Sequence, residues 1–469
     1  MDSIFADIAE VARNIRTREI SPCEIVDAHL ERIEKFQPKL NAFVHVDAEG
    51  ARRRARAAEA AILRGNAVGA LHGVAISIKS CIDVAEWPCP AGSRLRADYV
   101  ACEDAVLVSR LRAAGAILIG NTNMPEFLMA YETDNTLSGK TSNPWDLSRS
   151  AGGSSGGEAA AIASGCSMGG VGSDGGGSVR VPAHFCGISG LKPTPGRIPS
   201  TGHYPRGAGA FAWLGVVGPM ARTVADVRAL FDVMKGPDAD DALSSAVQAL
   251  CYGERELAGM RVGILESNAL GSVTRETNET VERAAALLSE QFNVEPFPVK
   301  GLEHAIELWW FFFGPMIARL FEPVVEGCES ALSPMFLEYM SAARLKIAPA
   351  LDDFIAACAK RDIVRAKIIK QMRDVPILLS PVCAAPAFRH GEGNWQRVCG
   401  YRDTMRHAQW LNLAGFPGVS VPMGFSAEGL PIGVQLIGRP NEDEVVLTVA
   451  EILETARGKF KAPREFSRE

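Results

Sequence analysis

At 469 residues, 47% hydrophobic and 22% charged, the chain can bury a sizeable core as one large unit or about three ordinary domains, which excludes a small module or a disordered polymer. Its 49 basic and 55 acidic residues leave a net charge of −6, the wrong sign and size for a dedicated nucleic-acid binder. Eleven cysteines, an odd number without one C-x-x-C, argue against a disulfide framework and a zinc cluster and fit a reducing, cytoplasmic setting.

The segment from Met1 to Asp7 lacks the basic start and apolar stretch of a leader peptide, and the absence of an uninterrupted run of about 18 apolar residues predicts no membrane span. Ile4, Ile8, Val11 and Ile15 recur at helical spacing, and Ser21-Pro22-Cys23-Glu24 reads as a capping box with Pro at the first helical position. Residues 1–62 are therefore expected to be mostly helical, with the Arg52, Arg53, Arg54 and Arg56 cluster on a solvated helix face. Two β-prone runs, Val74 to Ile78 and Ala116 to Ile119, flank a helical pattern over 104–114, and this alternation predicts an α/β sheet. Residues 150–220 are dense in Gly, Ser and Pro, yet the Ala-rich stretch from Glu158 to Ser164 makes a structured loop-helix-loop the better reading than a linker. A polar surface connection is expected over 235–256, then a strand from Arg261 to Leu265 and a helix over 277–291. A long helical region over 302–372 follows, and then strands at 377–379, 419–421 and 433–437.

Several catalytic and binding patterns overlap in the Gly/Ser region, and most fail for want of context. Gly170 to Gly175 matches the dinucleotide fingerprint, but no acidic residue lies between Asp174 and Asp226, and Gly176 to Pro182 is not expected to open a helix. No Gly-Lys-Ser/Thr follows the glycines, so the phosphate-binding loop fails too. Gly153 to Gly157 matches a nucleophile elbow centred on Ser155, although the polar Ser148 to Gly152 stands where a buried strand should precede it. Ser189 to Lys192 has the S-x-x-K pattern without the Lys-Thr-Gly that accompanies it. Three groups remain. Lys79 ends an apolar strand, where desolvation lowers an ammonium pKa and yields a base. Ser178 closes Asp174-Gly175-Gly176-Gly177-Ser178, whose glycines let consecutive amides converge on one point, and Ser154 could relay a proton between the two.

These residues stand in blocks that strongly resemble the amidase signature family of Ser-Ser-Lys serine hydrolases. The blocks are Gly152 to Gly157, Gly172 to Arg180 and Gly190 to Thr194, with further matches at Gly120 to Phe127, Asn143 to Trp145, Asn412 to Pro417 and Gly429 to Gln435. The resemblance implies an α/β fold, a mixed twisted sheet of about eleven strands covered by helices on both faces, as a single domain over 1–469 with its catalytic core at 70–220. It implies Ser178 as nucleophile, Ser154 as the bridging serine in a cis peptide and Lys79 as base. Gly175, Gly176, Gly177 and the Ser178 amide correspond to the oxyanion hole, Ser155, Asp174 and Arg180 to residues that fix the loop, and Met129 and Ala130 to the acyl pocket. His184 and His203 have no role in that pattern. Two positions depart from it: Ser80 follows Lys79 where Asp is common, and Gly175 stands where Thr or Ile is common, adding freedom to the loop.

The implied activity is hydrolysis of an amide C–N bond, or of an ester or carbamate, without cofactor or metal; dimers are common in the family. A glutamine-dependent amidotransferase subunit carries the same motifs and needs a partner to receive ammonia, whereas a non-catalytic or nucleotide-binding protein fits them poorly. The consecutive aromatics Trp309 to Phe313, ended by Gly314-Pro315, are expected either to fill the core or to wall the pocket for hydrophobic or aryl substrates.

Overall fold

In the computed structural model, which describes residues 3–467 apart from 249, 251, 253, 266–269, 345–348 and 396–399, the N-terminal periodicity folds into helices as expected. Ile8–Thr17 turns Ile8, Val11 and Ile15 inward. Pro22–Leu40 starts at the reciprocal cap in which Ser21 accepts from Cys23 N and Glu24 accepts the Ser21 amide. A short strand interrupts this helical region, against expectation. Phe43–Val46 (β1) pairs antiparallel at the sheet edge before the helix Ala48–Leu63 begins.

The remaining strands follow in chain order: Ala75–Lys79 (β2), Ile117–Thr122 (β3), Ser142–Asn143 (β4), Asp146–Ser150 (β5), Gly169–Asp174 (β6), Ser189–Lys192 (β7), Val216–Ala221 (β8), Arg261–Leu265 (β9), Asn293–Phe297 (β10), Ile377–Pro381 (β11), Gly418–Phe425 (β12) and Pro431–Gly438 (β13). Together with β1, ten of them form one mixed eleven-stranded sheet in the order β1-β3-β2-β6-β8-β7-β12-β13-β11-β9-β10, so residues from 43 to 438 share a single sheet. The strands β4 and β5 form a separate two-stranded ribbon. Every residue of β2, β6 and β13 is buried. Successive side chains in a strand point to opposite faces, so both faces of the sheet are covered here.

Two local expectations are corrected. The run from Gly176 to Pro182 does lead into a helix, Arg180–Cys186, because Pro182 falls within its first turn, where an amide has no intrahelical partner to lose. Gly314-Pro315 closes the aromatic run but does not end the helix. Leu302–Phe311 passes through a π-turn at Phe312–Met316 into Ile317–Val325, the widened turn absorbing the missing Pro315 amide. This stretch, Leu302–Val325, is long and apolar enough to cross a bilayer, but it buries Trp309, Phe312 and Phe321 within the fold.

The parallel strands β2 and β6 set up the candidate site. Their pairing of Ile76 with Gly169 and Ile78 with Val171 brings the end of β2, at Lys79, beside the end of β6, at Ser173 and Asp174. Carboxyl ends of neighbouring parallel strands are where open α/β sheets place ligand sites.

Candidate active site

Lys79 is fully buried, and its Nζ donates to three hydroxyls: Ser154 Oγ at 2.6 Å, Ser155 Oγ at 2.9 Å and Ser173 Oγ at 3.2 Å. Burial lowers its pKa to about 8, against the pull of Cys81, Asp174 and Glu158. Glu158 lies in the buried helix Gly156–Ala163, where its carboxyl takes hydroxyl bonds from Ser77 and, at 2.7 Å, from Thr122. Burial raises this carboxyl to about 7, although those bonds and the Lys79 charge act to lower it. Nothing in the sequence had singled out Glu158, and Ser173 was given no role although it stands in the block Gly172 to Arg180 that carries the family resemblance.

The Gly153–Ser154 peptide is cis, as the resemblance implied. Ser155 sits at the start of the helix Gly156–Ala163; its amide donates to Ser178 O at 3.2 Å and its hydroxyl to Ser173 O at 3.3 Å. The strand preceding it, β5, belongs to the outlying ribbon rather than to the main sheet, so the strand context of a nucleophile elbow is missing.

The loop after β6 is built around one ion pair. Asp174 accepts from the amides of Gly177 at 2.7 Å and Val179 at 3.1 Å, and from Arg180 through Nε at 3.1 Å and Nη2 at 3.0 Å. Both side chains are wholly buried. Burial by itself would raise the Asp174 carboxyl, but Arg180, Lys192 and Asn412 hold it well below the usual carboxylate range. Arg180 is anchored in turn by Gln435 Oε1 at 2.9 Å, Ala408 O at 3.0 Å and Asn412 Oδ1 at 2.7 Å. Ser155, Asp174 and Arg180 thus all hydrogen-bond within this loop or to its flanking backbone. Asn412 and Gln435 bond to Arg180; both stand in blocks that carry the family resemblance, which was the one signal pointing to them.

Ser154, Ser173, Asp174, Gly175 and Ser178 line a partly open cavity. Leu128, Met129, Phe211, Val216, Val217 and Phe313 supply its apolar wall, and Ser200 and His203 its remaining polar surface. Met129 thus lines the cavity. Ala130 does not appear in the lining; its carbonyl packs behind Gly153. Of the aromatic run, Phe313 reaches the cavity while Trp309 and Phe312 are core.

The two histidines separate. His184 is buried, with Nδ1 2.8 Å from the Gly433 amide and Nε2 3.2 Å from Ala385 O, tying its helix to β13; burial lowers it to about 4. His203 faces the cavity, its Nδ1 3.0 Å from Pro205 O and its Nε2 3.5 Å from Cys81 Sγ, a position the sequence did not reveal. Burial lowers it to about 4 as well.

Comparisons with known proteins find relatives along nearly the whole chain. The chain is 31% identical to one of the subunits of the glutamyl-tRNA(Gln) amidotransferase of Carboxydothermus hydrogenoformans, an alignment covering 97% of this chain and 98% of the relative. It is 34% identical to an acylamidase of Rhodococcus erythropolis, over 96% and 94% of the two chains. The structure of 6-aminohexanoate cyclic dimer hydrolase with its substrate superposes with a TM-score of 0.87 at 28% identity, covering 99% of this chain and 100% of that one. Residues 24–447 match the family Amidase, and the chain belongs to that family, the amidase signature enzymes.

Proposed function

We propose that the chain hydrolyses the C–N bond of apolar amides through an acyl-enzyme on Ser178, and that esters and carbamates, which share the tetrahedral intermediate, are also cleaved. The observation that carries this reading is the buried Lys79, bonded among the described residues to three hydroxyls and to no carboxylate, one of them that of Ser154, which lines a cavity together with Ser178. Neutral Lys79 takes the Ser154 proton as Ser154 takes that of Ser178, and Ser178 Oγ attacks the carbonyl carbon. Loop amides receive the developing negative charge. The proton returns through Ser154 to the leaving nitrogen as the C–N bond breaks, and water then repeats the path to release the acid.

The cavity wall supports apolar substrates. Glutamine would bring an ammonium and a carboxylate that need counter-charges when desolvated. Among the described lining residues only Asp174 is ionised, and its oxygens are engaged by Arg180, Asn412 and the loop amides. A second reading, one component of a glutamine-dependent amidotransferase, is favoured by the end-to-end match to the amidotransferase relative. Incubating the purified chain alone with an anilide, a carbamate and glutamine separates the two. Turnover of the anilide without any partner is expected, and glutamine hydrolysis seen only on adding partner proteins would support the second reading instead.

A further inference from the structure

Three successive carbonyls of the loop are each held by a side chain from a different part of the fold. Asn412 Nδ2 donates to Asp174 O at 2.9 Å, Trp309 Nε1 to Gly175 O at 3.0 Å and Tyr131 Oη to Gly176 O at 2.7 Å. In a trans peptide the carbonyl and the following N–H point in opposite directions, so each bond sets the aim of the next amide. The Gly176–Gly177 peptide is held at both ends, by Tyr131 at its oxygen and by Asp174 Oδ1, 2.7 Å away, at its nitrogen. The Gly177 amide, expected from the sequence to face an oxyanion, is therefore already engaged. The Gly175–Gly176 peptide is different: Trp309 holds its oxygen, and among the described residues no acceptor meets the Gly176 N–H.

Both donors press on the same glycine. A Cβ at Gly176 would lie 2.5 Å from Trp309 Cζ2 and 2.7 Å from Tyr131 Oη, so only glycine lets the two clamps close. Trp309 is itself fixed by burial and by stacking on Phe313, with ring centroids 4.5 Å apart. Neither Trp309 nor Tyr131 appears in the cavity lining.

We infer that Trp309 is a positioning residue for the reaction: its indole N–H fixes the Gly175–Gly176 peptide and so aims the Gly176 amide at the oxyanion, in a loop that lacks the branched residue common at position 175. The inference rests on Ser178 being the nucleophile. It also orders the two clamps, because the peptide held by Tyr131 keeps Asp174 when the hydroxyl is removed, whereas the peptide held by Trp309 has no second tether.

The test is steady-state kinetics on one anilide or aryl ester with Trp309→Phe and Tyr131→Phe, each with a thermal unfolding curve. Removing an oxyanion donor outright costs about 100- to 1,000-fold in kcat, so losing its alignment is expected to lower kcat by about 10- to 100-fold in Trp309→Phe, with KM within about 2-fold. Tyr131→Phe is expected to lose no more than about 3-fold. Site-specific replacement of Trp309 by benzothienylalanine, which keeps the ring shape but lacks the N–H, should reproduce the loss in kcat if Trp309→Phe does not fold. Unchanged kcat with a lower Tm would make Trp309 a core residue, and a raised KM with unchanged kcat would make it a pocket wall; either overturns the inference. Ser178→Ala is run alongside. If that variant keeps its activity, the nucleophile is wrong, a failure distinct from that of the clamp.

Discussion

A buried ammonium surrounded by hydroxyls loses its proton more readily than one in water, and the chemistry proposed for Lys79 uses the neutral form. Activity should therefore rise with pH through a midpoint near 8, the value to which burial lowers Lys79. Glu158 offers a signed check. Its negative charge raises the Lys79 pKa, and at pH 8 it is largely ionised because its own pKa is about 7. Glu158→Gln should then move the midpoint of kcat/KM against pH downward, and a midpoint that stays or moves up contradicts the assignment of Lys79 as base. Lys79, Ser154 and Ser178 were singled out in the sequence by the blocks that resemble the amidase signature, because a lone Lys at a strand end reads as a solvated charge and serines near glycines read as turn residues. Glu158 was not legible, because a single acid in an Ala-rich helix reads as a solvated residue until the fold buries it.

At the scale of elements, the loop after β6 is a braced structure rather than a free glycine run. Arg180→Ala would leave the Asp174 carboxylate buried without its counter-charge, a change that typically costs about 3–5 kcal/mol and should be read by chemical unfolding. The glycines themselves divide. A Cβ at Gly175 meets nothing closer than Phe313 at 3.6 Å, so Gly175→Ala is expected to stabilise by about 0.4–1 kcal/mol by restricting the unfolded chain. Gly176→Ala should destabilise by about 1–3 kcal/mol through overpacking against Trp309 and lose activity as well. A thermal shift in which both variants fall equally would contradict this division. Six strands of the main sheet were legible as short β-prone runs, whereas β6, β7, β8 and β10 were not, β6 and β7 because glycines break the apolar run that marks a buried strand. The edge strand β1 was not legible either, being four residues long and only partly buried between two helices. The carbonyl clamps were hidden for another reason: Trp309 and Asn412 lie far along the chain from the backbone they hold, and no spacing rule links a side-chain donor to a remote peptide oxygen.

For the whole molecule, the family match over residues 24–447 and the large mixed sheet place the chain among amidase signature enzymes, and under the proposed function the apolar cavity wall would direct the choice of substrate. Extending an acyl chain along that wall should raise kcat/KM by about 4-fold per methylene, the equivalent of about 0.8 kcal/mol, until the cavity is full. A flat series from short to long acyl groups would show that the wall does not contact substrate. The most direct measurement of the central claim is mass spectrometry of the protein after reaction with a fluorophosphonate. One adduct is predicted, on the peptide carrying Ser178, and none in Ser178→Ala. An adduct on Ser155, or an unlabelled Ser178 in active protein, would contradict the Ser178 acyl-enzyme.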